Sequence, residues 1–152
     1  MLNSDYNDML HILSEEGVKF ILVGGYAFSA HGHPRTTLDI DFWVLPSPEN
    51  ALAIMRALKK FGAPLTNVSA ADFEIPGTIF QIGVAPRRID IITKIESVSF
   101  DEAYARALVT EWEGVNVHVL SLQDLLVNKR AVGRPKDLLD VVLLERLIAE
   151  KK

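Results

Sequence analysis

The chain has 152 residues, a formal net charge of −4, 49% apolar and 24% charged residues, and no cysteine. That is enough for one compact domain with a real core but not comfortably for two. Disulfides and thiolate metal sites are excluded, and the negative charge argues against a broad nucleic-acid surface, which normally shows as a basic domain. No apolar run approaches the ~20 residues of a membrane span. The polar, acidic stretch from Met1 to Glu16 does not read as a secretory signal, so a cytoplasmic location is the expectation.

The elements follow from the pattern. Ser4 to Glu16 predicts a helix with an apolar face of Met9, Leu10, Ile12 and Leu13, stopped by Gly17. Val18 to Val23 reads as a buried central strand. One or two helical turns are expected over Tyr26 to His31, after the pair Gly24-Gly25. Pro34 then breaks the chain before a strand over Thr37 to Leu45. Ser47 caps a helix with Pro48 at its first position, its buried side expected from Leu52, Met55, Leu58 and Phe61, and Gly62 ends it. Ala63 to Gly77 reads as a long irregular loop, a type that is often functional.

Thr78 to Val84 and Arg88 to Thr93 predict two strands around the turn Ala85-Pro86-Arg87. A short helix over Phe100 to Leu108 follows. Val109 to Trp112 and Val115 to Leu120 suggest a hairpin about Glu113-Gly114. Ser121 caps a helix running through Arg130, Gly133-Arg134-Pro135 turns the chain, and Lys136 to Lys152 forms a last amphipathic helix. With no repeat, low-complexity segment or linker, residues 1–152 are expected to form a single α/β domain, a mixed β-sheet with flanking helices.

One constellation carries chemistry. The apolar strand Phe20 to Val23 ends in Gly24-Gly25, and a second apolar strand carries Asp39-Ile40-Asp41. Strand side chains alternate, so Asp39 and Asp41 are expected on one face, with Leu38, Ile40 and Phe42 in the core. Adjacent carboxylates repel unless a cation neutralises them. Paired hard oxygens suit Mg²⁺, which takes one or two protein carboxylates plus substrate phosphates. Metal-assisted phosphoryl or nucleotidyl transfer is the chemistry this suggests. A glycine pair by itself is weak evidence; its weight here comes from its spacing to Asp39.

These residues resemble the nucleotidyltransferase superfamily that shares its catalytic domain with DNA polymerase β. Its signature is an apolar residue and Gly-[Gly/Ser], a spacer, then Asp-x-Asp/Glu, with a third carboxylate on a later strand. Val23-Gly24-Gly25 and Asp39-Ile40-Asp41 match it with a spacer of 13 residues, Tyr26 to Leu38, and Asp90 in Arg88-Ile89-Asp90-Ile91-Ile92 fits the third carboxylate. The chain is also similar to minimal members related to AbiEii-type toxins. The shared features are His31-Gly32, Arg35-Thr36-Thr37, and a late element of Lys129, Arg134, Lys136, Asp137 and Asp140. The resemblance covers about Val18 to Leu144, and full AbiEii-type proteins carry a larger C-terminal region that helps shape the acceptor site.

The resemblance implies a nucleotidyltransferase fold and an NMP transferred from an NTP to an acceptor hydroxyl on RNA, protein or a small molecule. Asp39, Asp41 and Asp90 would hold two Mg²⁺ ions, with Mn²⁺ as a substitute, and Asp90 would take the acceptor proton. Gly24 and Gly25 would let backbone approach the phosphates, with Arg35, Thr36, Lys129 and Lys136 completing the nucleotide site. Blander readings stand beside these: Arg35 as a loop pin bonding carbonyls, Lys129 on a solvated helix face, Lys136 in an i,i+4 pair with Asp140. Asp137 and Asp140 are expected to organise the basic cluster. His31 and His33 lack zinc-site spacing and read as structural or substrate-proximal. Trp43 and Trp112 read as core, and Phe73 as a candidate base-stacking residue. The alternative function is a nucleotide-binding half of a toxin–antitoxin-like pair, partnered by a small helical protein. No membrane association is expected.

Overall fold

The computed structural model describes residues 3–84 and 87–151. Six strands form one mixed sheet in the order β3-β4-β2-β1-β6-β5. The chain runs α1 (Ser4–Glu15), β1 (Phe20–Val23), α2 (Gly25–Ala30), β2 (Ile40–Val44) and α3 (Pro48–Phe61), then a 3₁₀ turn at Ala70–Glu74. It continues through β3 (Ile79–Val84), β4 (Arg87–Ile92), α4 (Phe100–Arg106), β5 (Leu108–Trp112), β6 (Val115–Val119), α5 (Leu122–Val132) and α6 (Pro135–Glu150). The expected mixed α/β architecture is therefore the observed one. Of the expected turn Ala85-Pro86-Arg87, Arg87 opens β4 while Ala85 and Pro86 lie outside the described residues, as does Lys152.

β1 and β2 are the inner strands. All four residues of β1 are buried, as an apolar strand flanked on both sides must be. β1 pairs antiparallel with β2 and parallel with β6, while β2 pairs parallel with β4. Two hairpins, β3–β4 and β5–β6, close the edges. On one sheet face Phe20 meets Phe42 edge-on at 5.4 Å, and Phe73 of the 3₁₀ turn meets Phe80 at 6.1 Å. On the other, Trp43 packs against Phe100 of α4 at 5.1 Å. Aromatic pairs at such offsets add to what their buried area contributes.

Five expectations are corrected by this packing. The strand expected from Thr37 begins only at Ile40, and Leu38 is 46% exposed rather than in the core. Side chains hold that stretch bent: the Thr37 hydroxyl donates to the Asp39 carbonyl at 3.1 Å, and the Tyr6 hydroxyl donates to the Leu38 carbonyl. These local bonds substitute for ladder bonds.

The buried face of α3 is Ala51, Ile54, Ala57 and Leu58, with Leu52 57% exposed and Met55 and Phe61 half-buried. Asn50 sets that rotation. Its side chain accepts from Lys19 N at 2.8 Å and donates to the carbonyls of Lys19 at 3.1 Å and Leu45 at 2.9 Å. One buried amide thus ties α3 to the start of β1 and the end of β2, pairing the Lys19 N–H and the Leu45 carbonyl and adding a second bond to the Lys19 carbonyl, which already accepts from Leu45 N. The stretch from Ala63 to Gly77 is not wholly irregular, because it contains the 3₁₀ turn. Phe73 on that turn is fully buried and anchors the segment in the core, which removes it as a base-stacking residue.

Candidate functional site: three carboxylates on one sheet face

β2 and β4 are parallel neighbours, and their register places Asp41 directly beside Asp90. Residues opposite each other in a ladder share a face, so the two carboxylates sit side by side in the middle of the sheet. On the outer strand Gln81 is opposite Asp90, and it shares that face and is exposed. Sequence reasoning missed Gln81, because only the register of β3 shows it. Asp39 lies in the bend just before β2 and is brought to the same place by Arg88. The Arg88 guanidinium donates to Asp90 at 3.0 Å through Nε and to Asp39 at 3.2 Å through Nη2. The three aspartates picked from sequence are therefore brought together.

Gly24 and Gly25 close the other side. Gly24 has φ +72°, and a Cβ on it would lie 2.4 Å from Asp41 Oδ2. A Cβ on Gly25 would lie 2.8 Å from the Thr37 hydroxyl oxygen. The glycine pair is what lets the β1–α2 turn close over Asp41 and the bend before β2.

This is a crowded acidic site. Burial, then the hydrogen bond and negative charge of Asp90, then the charge of Asp39, push Asp41 up to about 7; Arg88 opposes the rise. Asp41 is thus partly protonated near neutrality. Among the described residues, no three His, Asp or Glu side chains surround a common point closely enough to hold a metal as they stand. The donor set nevertheless fits a hard divalent cation. It supplies carboxylate oxygens only, and it already attracts a cation, the Arg88 guanidinium, between Asp39 and Asp90.

The basic candidates form a second cluster. Arg35 makes a bidentate pair with Asp140, at 2.6 and 3.2 Å, and its guanidinium lies 4.0 Å from the Phe28 ring centroid. It pins α6 through a carboxylate, not the loop through carbonyls. Lys129 Nζ reaches Asp140 at 3.2 Å and Asp137 at 3.3 Å. Arg134 Nε donates to Asp137 at 2.7 Å. Asp137 is fully buried, and these donors, Arg134 first, hold it down at about 2. Burial would raise Asp140, but Arg35 and Lys129 outweigh it and lower it. Asp137 and Asp140 organise the cluster, as expected from sequence. Lys136 is exposed and makes no ion pair with Asp140, whose partners are Arg35 and Lys129; Thr36 is exposed as well.

The remaining candidates are structural. His31 Nε2 lies 2.8 Å from the Leu120 carbonyl, and Trp43 is core. Trp112 is half-buried against Tyr26 at 5.8 Å. A hollow of about 490 Å³ lies between His31, Arg106, Leu122 and Ile148 with none of the three carboxylates in its lining.

The family described as "Nucleotidyltransferase of unknown function (DUF6036)" matches residues 2–150. The chain belongs to this family. It is thus a nucleotidyltransferase by family, and the mixed sheet bearing the carboxylates is that enzyme's fold. The fold is similar to that of a crystal structure of a proposed nucleotidyltransferase from Thermotoga maritima. That match has a TM-score of 0.58 and 18% identity, over 99% of this chain and 96% of the other. No curated protein matches the chain. No helix among the described residues is long and apolar enough to cross a membrane.

Proposed function

We propose that this nucleotidyltransferase is Mg²⁺-dependent and moves an NMP from an NTP to an acceptor hydroxyl, releasing pyrophosphate. The observation that carries the reading is the Asp41–Asp90 register, with Asp39 drawn to the same point. Three carboxylates against one guanidinium leave an unmet demand for positive charge. A divalent cation together with a triphosphate would meet it. Bound there, Mg²⁺ (or Mn²⁺) would supply charge stabilisation for an in-line displacement.

The residues of the chain would do the rest. Asp39, Asp41 and Asp90 would be the metal ligands. Asp90, between Asp41 and Arg88, would accept the proton of the acceptor hydroxyl. That oxygen bonds to the α-phosphorus as the α–β bridging P–O bond breaks, and pyrophosphate carries away the electron pair. Gly24 and Gly25 keep the turn over Asp41 free of side chains. Thr36 and Lys136, both exposed, would meet the nucleotide directly. Arg35 and Lys129 would contribute field from within their ion pairs to phosphates nearby. A cytoplasmic location, where NTPs are abundant, goes with this reading.

The test is transfer from α-labelled NTPs to a cell extract fractionated into RNA, protein and small molecules. The reading expects Mg²⁺-dependent label in one fraction, lost in Asp39→Asn. Transfer that survives that substitution would overturn it.

A second reading has one observation behind it. Leu138, Leu139 and Val142 on α6 are 56%, 75% and 68% exposed, an apolar patch open to solvent. It favours the nucleotide-binding half of a toxin–antitoxin-like pair, in line with the AbiEii-like motifs. Co-purification of a small helical protein, lost in Leu139→Glu, would support it. A monomer that turns over unaided would count against it.

A further inference from the structure

The acidic site holds a cation of its own, and each polar bond that this cation makes goes to a residue assigned above to metal. Arg88 donates through Nε to Asp90 Oδ1 at 3.0 Å. Its Nη2 donates to Asp39 Oδ2 at 3.2 Å and to Asp90 Oδ2 at 3.4 Å. No other oxygen bonds its guanidinium among the described residues. Across the β3–β4 ladder its partner is Gly83, which offers no side chain to clamp it. Gly83 has φ +89°, and a Cβ there would meet the Arg87 carbonyl at 3.1 Å, so that gap is built into the backbone. The Arg88 side chain is 29% exposed and has room to swing outward.

We propose that Arg88 is a placeholder cation, which neutralises Asp39 and Asp90 in the metal-free protein and must release them before a divalent cation binds. The proposal rests on the metal-site reading above. A guanidinium and a small hard cation both want carboxylate lone pairs, and they repel each other. They cannot share Asp39 and Asp90 at full strength. This also accounts for why the carboxylates, as they stand, do not surround a single point. Arg88 therefore tunes metal affinity downward and keeps the acidic cluster intact while no metal is bound.

The experiment is calorimetric titration of Mn²⁺, without nucleotide, into wild type, Arg88→Gln, Arg88→Lys and Arg87→Gln, with thermal melts at zero and saturating Mn²⁺. Losing a charge-assisted bond that the metal must otherwise break tightens Mn²⁺ binding in Arg88→Gln by about tenfold or more. Arg88→Lys, which keeps the charge, stays close to wild type. Arg87→Gln removes an equal charge one residue away and leaves affinity unchanged. Arg88→Gln melts lower than wild type without metal, and the gap narrows at saturating Mn²⁺. Equal, measurable Mn²⁺ affinity in wild type and Arg88→Gln would overturn the proposal and leave the metal site standing. So would equal tightening in Arg87→Gln, which would mean a general charge effect. If none of the folded proteins binds Mn²⁺, the metal-site reading falls and this proposal with it.

Discussion

The two charged clusters of this protein are balanced in opposite directions. On the sheet, Asp39, Asp41 and Asp90 face a single guanidinium, and Asp41 is pushed up to about 7 by its burial first and then by the two carboxylates beside it. Between α5 and α6, Asp137 and Asp140 face Arg35, Lys129 and Arg134, and Asp137 is held down at about 2. The first cluster is short of positive charge and the second has one to spare. A structural ion network looks like the second, since a buried carboxylate persists only when it is paired. An acidic site kept under-compensated in the middle of a sheet costs stability, and such strain concentrates where chemistry is done. The two clusters therefore respond differently to the same kind of substitution.

The largest expected effect is on activity at the first cluster. Asp41→Asn or Asp90→Asn should lower transfer by about a thousandfold or more, worth several kcal/mol of transition-state stabilisation. The same Asp41→Asn should leave the metal-free fold as stable as wild type or more so, by chemical denaturation at pH 8. A large loss of stability there would erase the contrast between the clusters. At the second cluster the pattern reverses. Asp137→Asn uncouples a fully buried carboxylate from Arg134 and Lys129. It should cost about 3 kcal/mol of stability, while the folded fraction keeps its activity within about tenfold of wild type.

The pH dependence separates the clusters further. A carboxylate raised on folding stabilises the protein below its unfolded value of 3.8, and that contribution disappears as pH rises through about 7. Asp41 therefore makes the metal-free protein roughly 2–4 kcal/mol less stable at pH 8 than it would be with an unperturbed carboxylate. Asp137 has the opposite sign. Its contribution of about 2 kcal/mol is present above 3.8 and is lost as pH falls toward 2. Stability profiles of Asp41→Asn and Asp137→Asn should each lose one limb of the wild-type curve, the neutral limb and the acid limb respectively. The smallest effect is at the exposed Lys136. Lys136→Ala should raise KM for the NTP about two- to fivefold with no change in melting, as expected for a solvated phosphate contact.

The elements that position the site were legible because they rest on local signals. Gly24-Gly25 has one conformational and two steric requirements, Ser47 and Ser121 cap their helices as read, and the isoleucines around Asp90 mark it as a mid-strand charge. What escaped were tertiary choices. Leu38 is apolar, yet Thr37 and Tyr6 hold its backbone out of the sheet. Leu52 fits a helical stripe as well as Ile54 does, and only the inward pull of Asn50 decides between them. Phe73 is an aromatic residue in a loop by sequence and a core plug by structure. The roles of Arg35, Lys129 and Arg88 depended on which carboxylate each would meet, and spacing along the chain does not encode that. Nothing in the sequence singles out Arg88, two residues from Asp90, as the partner of that carboxylate.

The most direct test is calorimetric titration of each NTP, with and without Mg²⁺, into wild type and the Asp39→Asn/Asp41→Asn double variant. The account predicts Mg²⁺-dependent binding of at least one NTP to wild type, lost in a double variant that remains folded. A well-folded wild type that binds no NTP at any Mg²⁺ concentration would contradict it.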